Sequence, residues 1–383
     1  MRILFCGLSG IPNKASASIN RYLAIGQAQS KDNEIIYINR FPLFKQFDQQ
    51  SLENNPFRII DATRTQFRPS SFIKRNFLKL TSFIFEFESI RRINKEKKID
   101  WLNIYTQYFG IFLIYYFTSK IFRFKTILHY VEFRSKFNDR SFLFRINDLL
   151  VDKFAILLCD KIIPISTTLD NYISKKNPNI DTLVIPPICD FKYFASIKPE
   201  VSEKKYFVFC SSIYYEEVIV FVIQSFLKIK STHNAVLHLV INGKIENQTL
   251  NHLIEDNSNN ILLFSNLKYE NLIAKYKGSI AALVPLRDTI QDQARFPQKI
   301  CEFLASNRPI ITTSNGEIKY YFTDKINAII ANKYDINSFS EQLIWAITHE
   351  NELEIIAKNS YSLGRKYFDI DGYSSKIQDF LMQ

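Results

Sequence analysis

The stretch RDTIQDQARFPQKICEFLASNRPIITTSNGE, residues 287–317, decides how this chain folds. Ile300, Phe303 and Leu304 fall at i, i+3 and i+4, an apolar stripe that predicts a short buried helix. Pro297 suits the first helical position, where its missing N–H is not needed. Asn307 tolerates the left-handed turn that ends a helix, and Pro309 cannot continue one. PIITT then reads as a buried parallel strand, and Ser314, Asn315, Gly316 and Glu317 as the loop after it.

The same alternation runs outward in both directions. Upstream lie predicted strands at KYFVFC, AVLHLVINGK, NILLFSN and SIAALVPL, each followed by a helical stretch. The first half repeats the pattern, with strands at 2–7, 34–40, 100–105, 125–133 and 161–166. Helices are expected at 19–30, at 72–98, around 141–158 and at TTLDNYISKK; residues 41–66 read as irregular. Strands alternating with helices predict an α/β chain of parallel sheets covered on both faces. At 383 residues there is room for two such domains. The polar, Pro-containing ASIKPEVSE sets the expected boundary at 198/199, and 335–383 reads as helical.

Charge crowds the predicted helix of 287–317. Arg295 precedes it, Lys299 lies in its first turn and Glu302 follows three residues on. Cations beside a helix start favour an anion, Arg by a fork that matches phosphate oxygens and Lys by a point charge. A carboxylate one turn deeper can accept vicinal hydroxyls, as on a ribose. The competing reading is a surface helix with an i,i+3 Lys–Glu pair.

ARFPQKICEFLASNRPIITTSNGE resembles the donor segment of GT-B glycosyltransferases, specifically the large retaining family 4 (glycosyl transferases group 1), in its variant R-F-P-x-K-x-x-E. The resemblance implies two doubly wound Rossmann-like domains facing across a cleft. Residues 1–198 would bind the acceptor, 199–365 the nucleotide sugar, and the helix of 366–383 would cross back to the first domain. It further implies that Arg287, Arg295 and Lys299 hold the diphosphate and Glu302 the ribose. Gly7 and Ser16 in the first loop, Asn266 and Leu267 near the base, and Gly316 complete the implied donor contacts. HYVEFRS, at the end of the strand KTILHYVEF, sits where relatives face the sugar, so Glu132 and His129 join Arg295 and Lys299 as catalytic candidates. Period-2 alternation keeps His129 and Tyr130 on opposite faces, and a packed histidine is the competing reading.

Departures from the family pattern are equally specific. Ala294 and Glu217 stand where relatives carry a second Glu and a cation, and Ala15-Ser16-Ala17-Ser18 replaces a glycine pair. Ile188 and Cys189 depart from the P-N-G-V-D signature. The resemblance implies transfer of a sugar to a surface-polysaccharide, other glycan or lipid-linked acceptor, with retention and with no metal or other cofactor. The departures leave a catalytically silent subunit, binding a glycan or a partner transferase, as the alternative.

Composition bounds the partners. Net charge is +11, and it is uneven. Residues 1–195 hold 29 Lys and Arg against 17 Asp and Glu, while 196–383 hold 20 against 21. The first half is therefore expected to face something anionic, such as an acidic membrane surface. The Phe-rich, basic 72–98 stretch reads either as a membrane-surface helix or as a sheet-covering helix with its Phe stripe in the core, and the second is favoured. Aromatic–basic motifs of RNA-binding sheets are missing, so no nucleic-acid partner is expected. Five scattered cysteines in apolar runs, with no signal peptide and no span of about 18 apolar residues, predict a cytoplasmic protein, peripheral at most to the inner face of the membrane.

Overall fold

The computed structural model describes residues 1–11, 16–41, 57–65, 68–136, 140–229 and 235–383. Ala15 of the first loop and residues 42–56 and 66 of the irregular segment lie outside them. The chain forms two compact units, 1–186 together with 370–383, and 187–369.

Among the described residues, the first unit holds seven strands. They are β1 (Arg2–Cys6), β2 (Glu34–Asn39), β3 (Arg58–Asp61), β4 (Trp101–Ile104), β5 (Lys125–Tyr130), β6 (Lys161–Pro164) and β7 (Asp181–Thr182). They pair in parallel in the order β3-β2-β1-β4-β5-β6-β7. β1 is buried along its whole length because helices cover both faces of a parallel sheet. β3 lies in the segment read as irregular; Arg58-Ile59-Ile60-Asp61 is too short and too polar at its ends to show a period. The helix Ala17–Gln29 follows β1, with Ser16 as its N-cap, and the last helix, Ser374–Met382, packs against it.

The second unit has the same plan. Its strands are β8 (Lys205–Ser212), β9 (Ala235–Asn242), β10 (Ile261–Phe264), β11 (Ala281–Val284), β12 (Ile310–Thr313) and β13 (Ile329–Ala331). The order is β10-β9-β8-β11-β12-β13, again all parallel. Phe207, Val222, Leu237 and Ile311 belong to one buried core beneath it.

The division at 186/187 compares with the 198/199 expected from ASIKPEVSE, and 369/370 with 365/366. Physical ties explain the position of the first. Asp190 caps the helix Phe191–Ser196, which packs on the helix Lys299–Ala305, and Lys277 Nζ donates to the carbonyl of Phe194 at 3.0 Å. Gln298 Nε2 donates to the carbonyl of Ile188 at 2.8 Å. A polar, Pro-containing composition cannot reveal such contacts.

One helix differs in kind from its sequence reading. Phe72–Glu96 buries Ser82, Glu86, Ser89, Ile90 and Ile93, whereas Phe72, Ile73, Phe77, Leu80 and Ile84 are exposed. The apolar stripe expected in the core therefore faces outward. Among the described residues, no helix is long and apolar enough to cross a membrane.

Candidate active site

Doubly wound sheets leave a crevice where strand order reverses, beyond the carboxyl ends of the strands. In the second unit this point lies between β8 and β11. The residues that follow β8, β11 and β12 meet there around Asp292.

Asp292 is fully buried and sits in the short helix Ile290–Ala294, whose first turn is capped by Thr289 Oγ1 at 3.2 Å from the Asp292 N–H. Its carboxylate accepts from Arg287 Nε at 2.9 Å, Arg287 Nη2 at 3.0 Å and the Arg287 N–H at 2.8 Å. Arg295 Nε lies 2.9 Å from the other side of the carboxylate. Burial alone would raise the Asp292 pKa, but the two guanidinium groups outweigh it and hold the group below its ordinary value. Arg287 also pairs with Glu217 through Nη1. Arg295 instead lies over the Tyr215 ring, 4.3 Å from its centroid, and its two terminal nitrogens carry no protein hydrogen bond among the described residues.

The end of β12 is tied into the same cluster. Thr313 Oγ1 accepts from the Leu286 N–H at 2.9 Å, and Asn315 Nδ2 donates to the Arg287 carbonyl. Gly316 has a φ of +54°, and a Cβ there would stand 2.8 Å from the Asp292 carbonyl oxygen. The positive φ favours glycine and the close approach requires it.

Lys299 opens the helix Lys299–Ala305. Burial disfavours its charge, but Cys210, Glu302 and Tyr215 beside it prevail, and its pKa lies above the ordinary lysine value. Glu302 is buried, and its Oε1 accepts from Tyr269 Oη at 3.0 Å. Burial, then Glu302, pushes the Tyr269 phenol well up. The helix is seven residues long and begins two positions after Pro297. Its end follows the sequence closely: Asn307 has a φ of +54°, with Asn307 N–H to Leu304 O at 3.0 Å and Arg308 N–H to Phe303 O at 3.2 Å.

Arg287, Arg295, Lys299, Glu302 and Gly316 are thus gathered by one half of one unit. Asn266 and Leu267 are not part of that cluster. They follow the edge strand β10, two places from β8, with Asn266 in the left-handed region at φ +54°. Sequence reasoning passed over Asp292 as the organising group, and over Tyr215 and Tyr269. The i,i+3 spacing of Asp292 and Arg295 was the available signal.

The remaining candidates belong to the first unit. Gly7 ends β1 at φ +99°, and a Cβ there would meet the Tyr105 carbonyl oxygen at 2.1 Å. Ser16 uses its hydroxyl to cap the Ile19 N–H at 3.4 Å. His129 is buried, with Nε2 2.8 Å from Asn103 Oδ1 and its ring edge-on to Tyr22. Its Nδ1 has no partner among the described residues. Burial, with Arg21 nearby, drives its pKa well below the ordinary value, so the imidazole is neutral. Glu132 accepts from Arg134 Nη1 at 2.8 Å, and Arg134 Nε reaches buried Asp148 at 3.2 Å. Just beyond, a π-helical turn at Val151–Ala155 directs Asp152 to the Ser135 N–H and the Tyr130 hydroxyl, both at 2.8 Å. Glu132 and His129 are therefore both held, by separate networks.

Two doubly wound units in one chain, with this charged crevice in the second, define the GT-B class. Residues 192–363 match the family described as glycosyl transferases group 1, so the second half of this GT-B chain is a glycosyltransferase domain of that family. Solved structures agree on the fold. Sucrose-phosphate synthase from Thermosynechococcus elongatus is 14% identical with a TM-score of 0.75, covering 100% of this chain and 98% of its own. Anabaena HepE in complex with UDP-glucose is 13% identical with a TM-score of 0.70, covering 100% and 99%. The pneumococcal O-GlcNAc transferase GtfA in complex with UDP and GlcNAc is 12% identical, also at 0.70, covering 100% and 98%. No curated protein matches the sequence.

Proposed function

We propose that this glycosyltransferase moves a sugar from a nucleotide diphosphate sugar to a glycan or lipid-linked acceptor, with retention of anomeric configuration and without a metal. The observation that carries this is the Arg295–Lys299 pair at the β8/β11 switch point. Arg295 presents two terminal nitrogens, and Lys299 stays charged despite its burial. As the sugar–phosphate bond breaks, negative charge grows on the departing diphosphate. Cations already fixed in a partly dry site stabilise that charge without reorganising.

Arg287 takes a different role from the one expected of it. With Asp292 and Glu217 occupying its guanidinium, it positions Asp292, and through Asp292 it positions Arg295. Glu302, held by Tyr269, is assigned the ribose hydroxyls. His129 is assigned a hydrogen bond to the donor sugar and not a role as general acid, because burial keeps its imidazole neutral. Glu132 is assigned the acceptor side.

The likeness to HepE and GtfA, whose structures hold UDP-glucose and UDP with GlcNAc, makes UDP-sugars the first donors to try. Calorimetry against UDP- and GDP-sugars, followed by NMR of the anomeric product, tests the reading. Heat of binding and a product of unchanged configuration are expected. A chain that binds none of the panel is a silent subunit; an inverted product removes the retaining mechanism.

A further inference from the structure

The helix Phe72–Glu96 is turned inside out. Its buried line runs Ser82, Glu86, Ser89 and Ile93. A second line, Ile73, Phe77, Leu80 and Ile84, has the same four-three-four spacing and stands nine residues earlier. At about 100° per residue, nine residues amount to roughly half a turn, so this apolar line lies opposite the buried one. These four side chains are 80%, 61%, 76% and 62% exposed.

The face does not stop at one helix. Phe109–Phe122 packs between Phe72–Glu96 and Phe142–Leu150. It exposes Phe117 and Ile121, and Phe142–Leu150 exposes Phe142 and Leu143 at 75% and 76%. Three adjacent helices of a single unit thus hold large apolar side chains in water, which is uncommon on a surface without a partner. The outward line of Phe72–Glu96 continues past Ile84 through exposed Glu88, Arg91 and Lys95, so its first half is apolar and its second half is charged with a net positive balance.

We propose that this face docks on an anionic lipid bilayer. Phe77, Leu80 and their neighbours enter at the acyl boundary, while Lys74, Arg91, Arg92, Lys95 and Arg145 meet headgroup phosphates. Charge selects this occupant over a second copy of the chain. Residues 1–195 carry 29 cationic against 17 acidic residues, so two such faces would repel, whereas an anionic bilayer is complementary.

Sedimentation of the full chain with vesicles tests this without reference to sugar chemistry. Vesicles of phosphatidylcholine with phosphatidylglycerol should bind at least roughly tenfold more tightly than phosphatidylcholine alone, and less as salt rises. F77E/L80E should abolish binding with an unchanged Tm, since both side chains face water; R91E/K95E should weaken it. Equal or no binding to the two vesicle types would overturn the assignment, as would full binding by F77E/L80E. So would light scattering that shows a dimer dissolved by F77E/L80E, which would give the face to a second copy.

Discussion

The two units share one strand order but fill their switch points with different chemistry. Beyond β1 and β4, the first unit closes on itself. Gly7 lets the Tyr105 carbonyl approach, and Tyr22 Oη donates to the carbonyls of Cys6 and Asn103 at 3.0 and 2.6 Å. Beyond β8 and β11, the second unit gathers Arg287, Asp292, Arg295 and Lys299. The same backbone crevice is thus filled by aromatic rings in one unit and by a cluster of charges in the other. The fold supplies the place, and the side chains that line it set the two places apart.

The largest way to break this contrast is Asp292→Asn, which leaves two guanidinium groups beside a neutral, fully buried amide. Losing one partner of such a network should cost about 3–5 kcal/mol, read as a large fall in denaturant midpoint. The wild-type contribution of Asp292 has a definite pH sign. Its folded pKa is depressed, so the stabilisation is present above the unfolded carboxylate value and lost as pH falls through the folded one. The variant should lose that acid limb, and a retained limb would place it elsewhere.

Lys299→Ala separates chemistry from stability at the same crevice. Transfer should slow by about 2–4 kcal/mol in the barrier, while Tm moves by only a few degrees. A K299A protein with ordinary turnover would remove Lys299 from the site. Next in size is Gly7→Ala in the aromatic crevice. The added Cβ meets the Tyr105 carbonyl at a positive φ, and about 1–3 kcal/mol of stability should be lost in thermal unfolding.

The last prediction sharpens the comparison from the aromatic side. Glu86 is buried against Tyr115 Oη at 2.8 Å, and burial raises its pKa to about 7. Because the folded value exceeds the unfolded one, its stabilisation is complete below the unfolded value of 4.5 and lost as pH rises through about 7. Glu86→Gln should flatten Tm across that window. An unchanged pH profile would mean that Glu86 is not the group that titrates.

Much of the fold was legible because it is local. The run TTLDNYISKK is the helix Thr167–Lys176, and Asn307 makes the left-handed end its sequence announces. The candidate site was legible in part. Arg295, Lys299 and Glu302 could be picked out by their spacing around one short helix, but Asp292 could not be seen as their organiser. Its partners lie five residues before it and three after, on a loop whose course depends on β11 and β12 packing together.

The sequence by itself determined the alternation of strands and helices, the uneven charge and the end of the helix Lys299–Ala305, because each rests on near neighbours along the chain. Only the tertiary structure decided that Arg287 is committed to two carboxylates, and that Phe72–Glu96 buries Glu86 while exposing Phe77. Helical periodicity fixes the angle between two lines of side chains but not which line meets the sheet. Charge pairing likewise depends on distances through space that spacing along the chain does not contain.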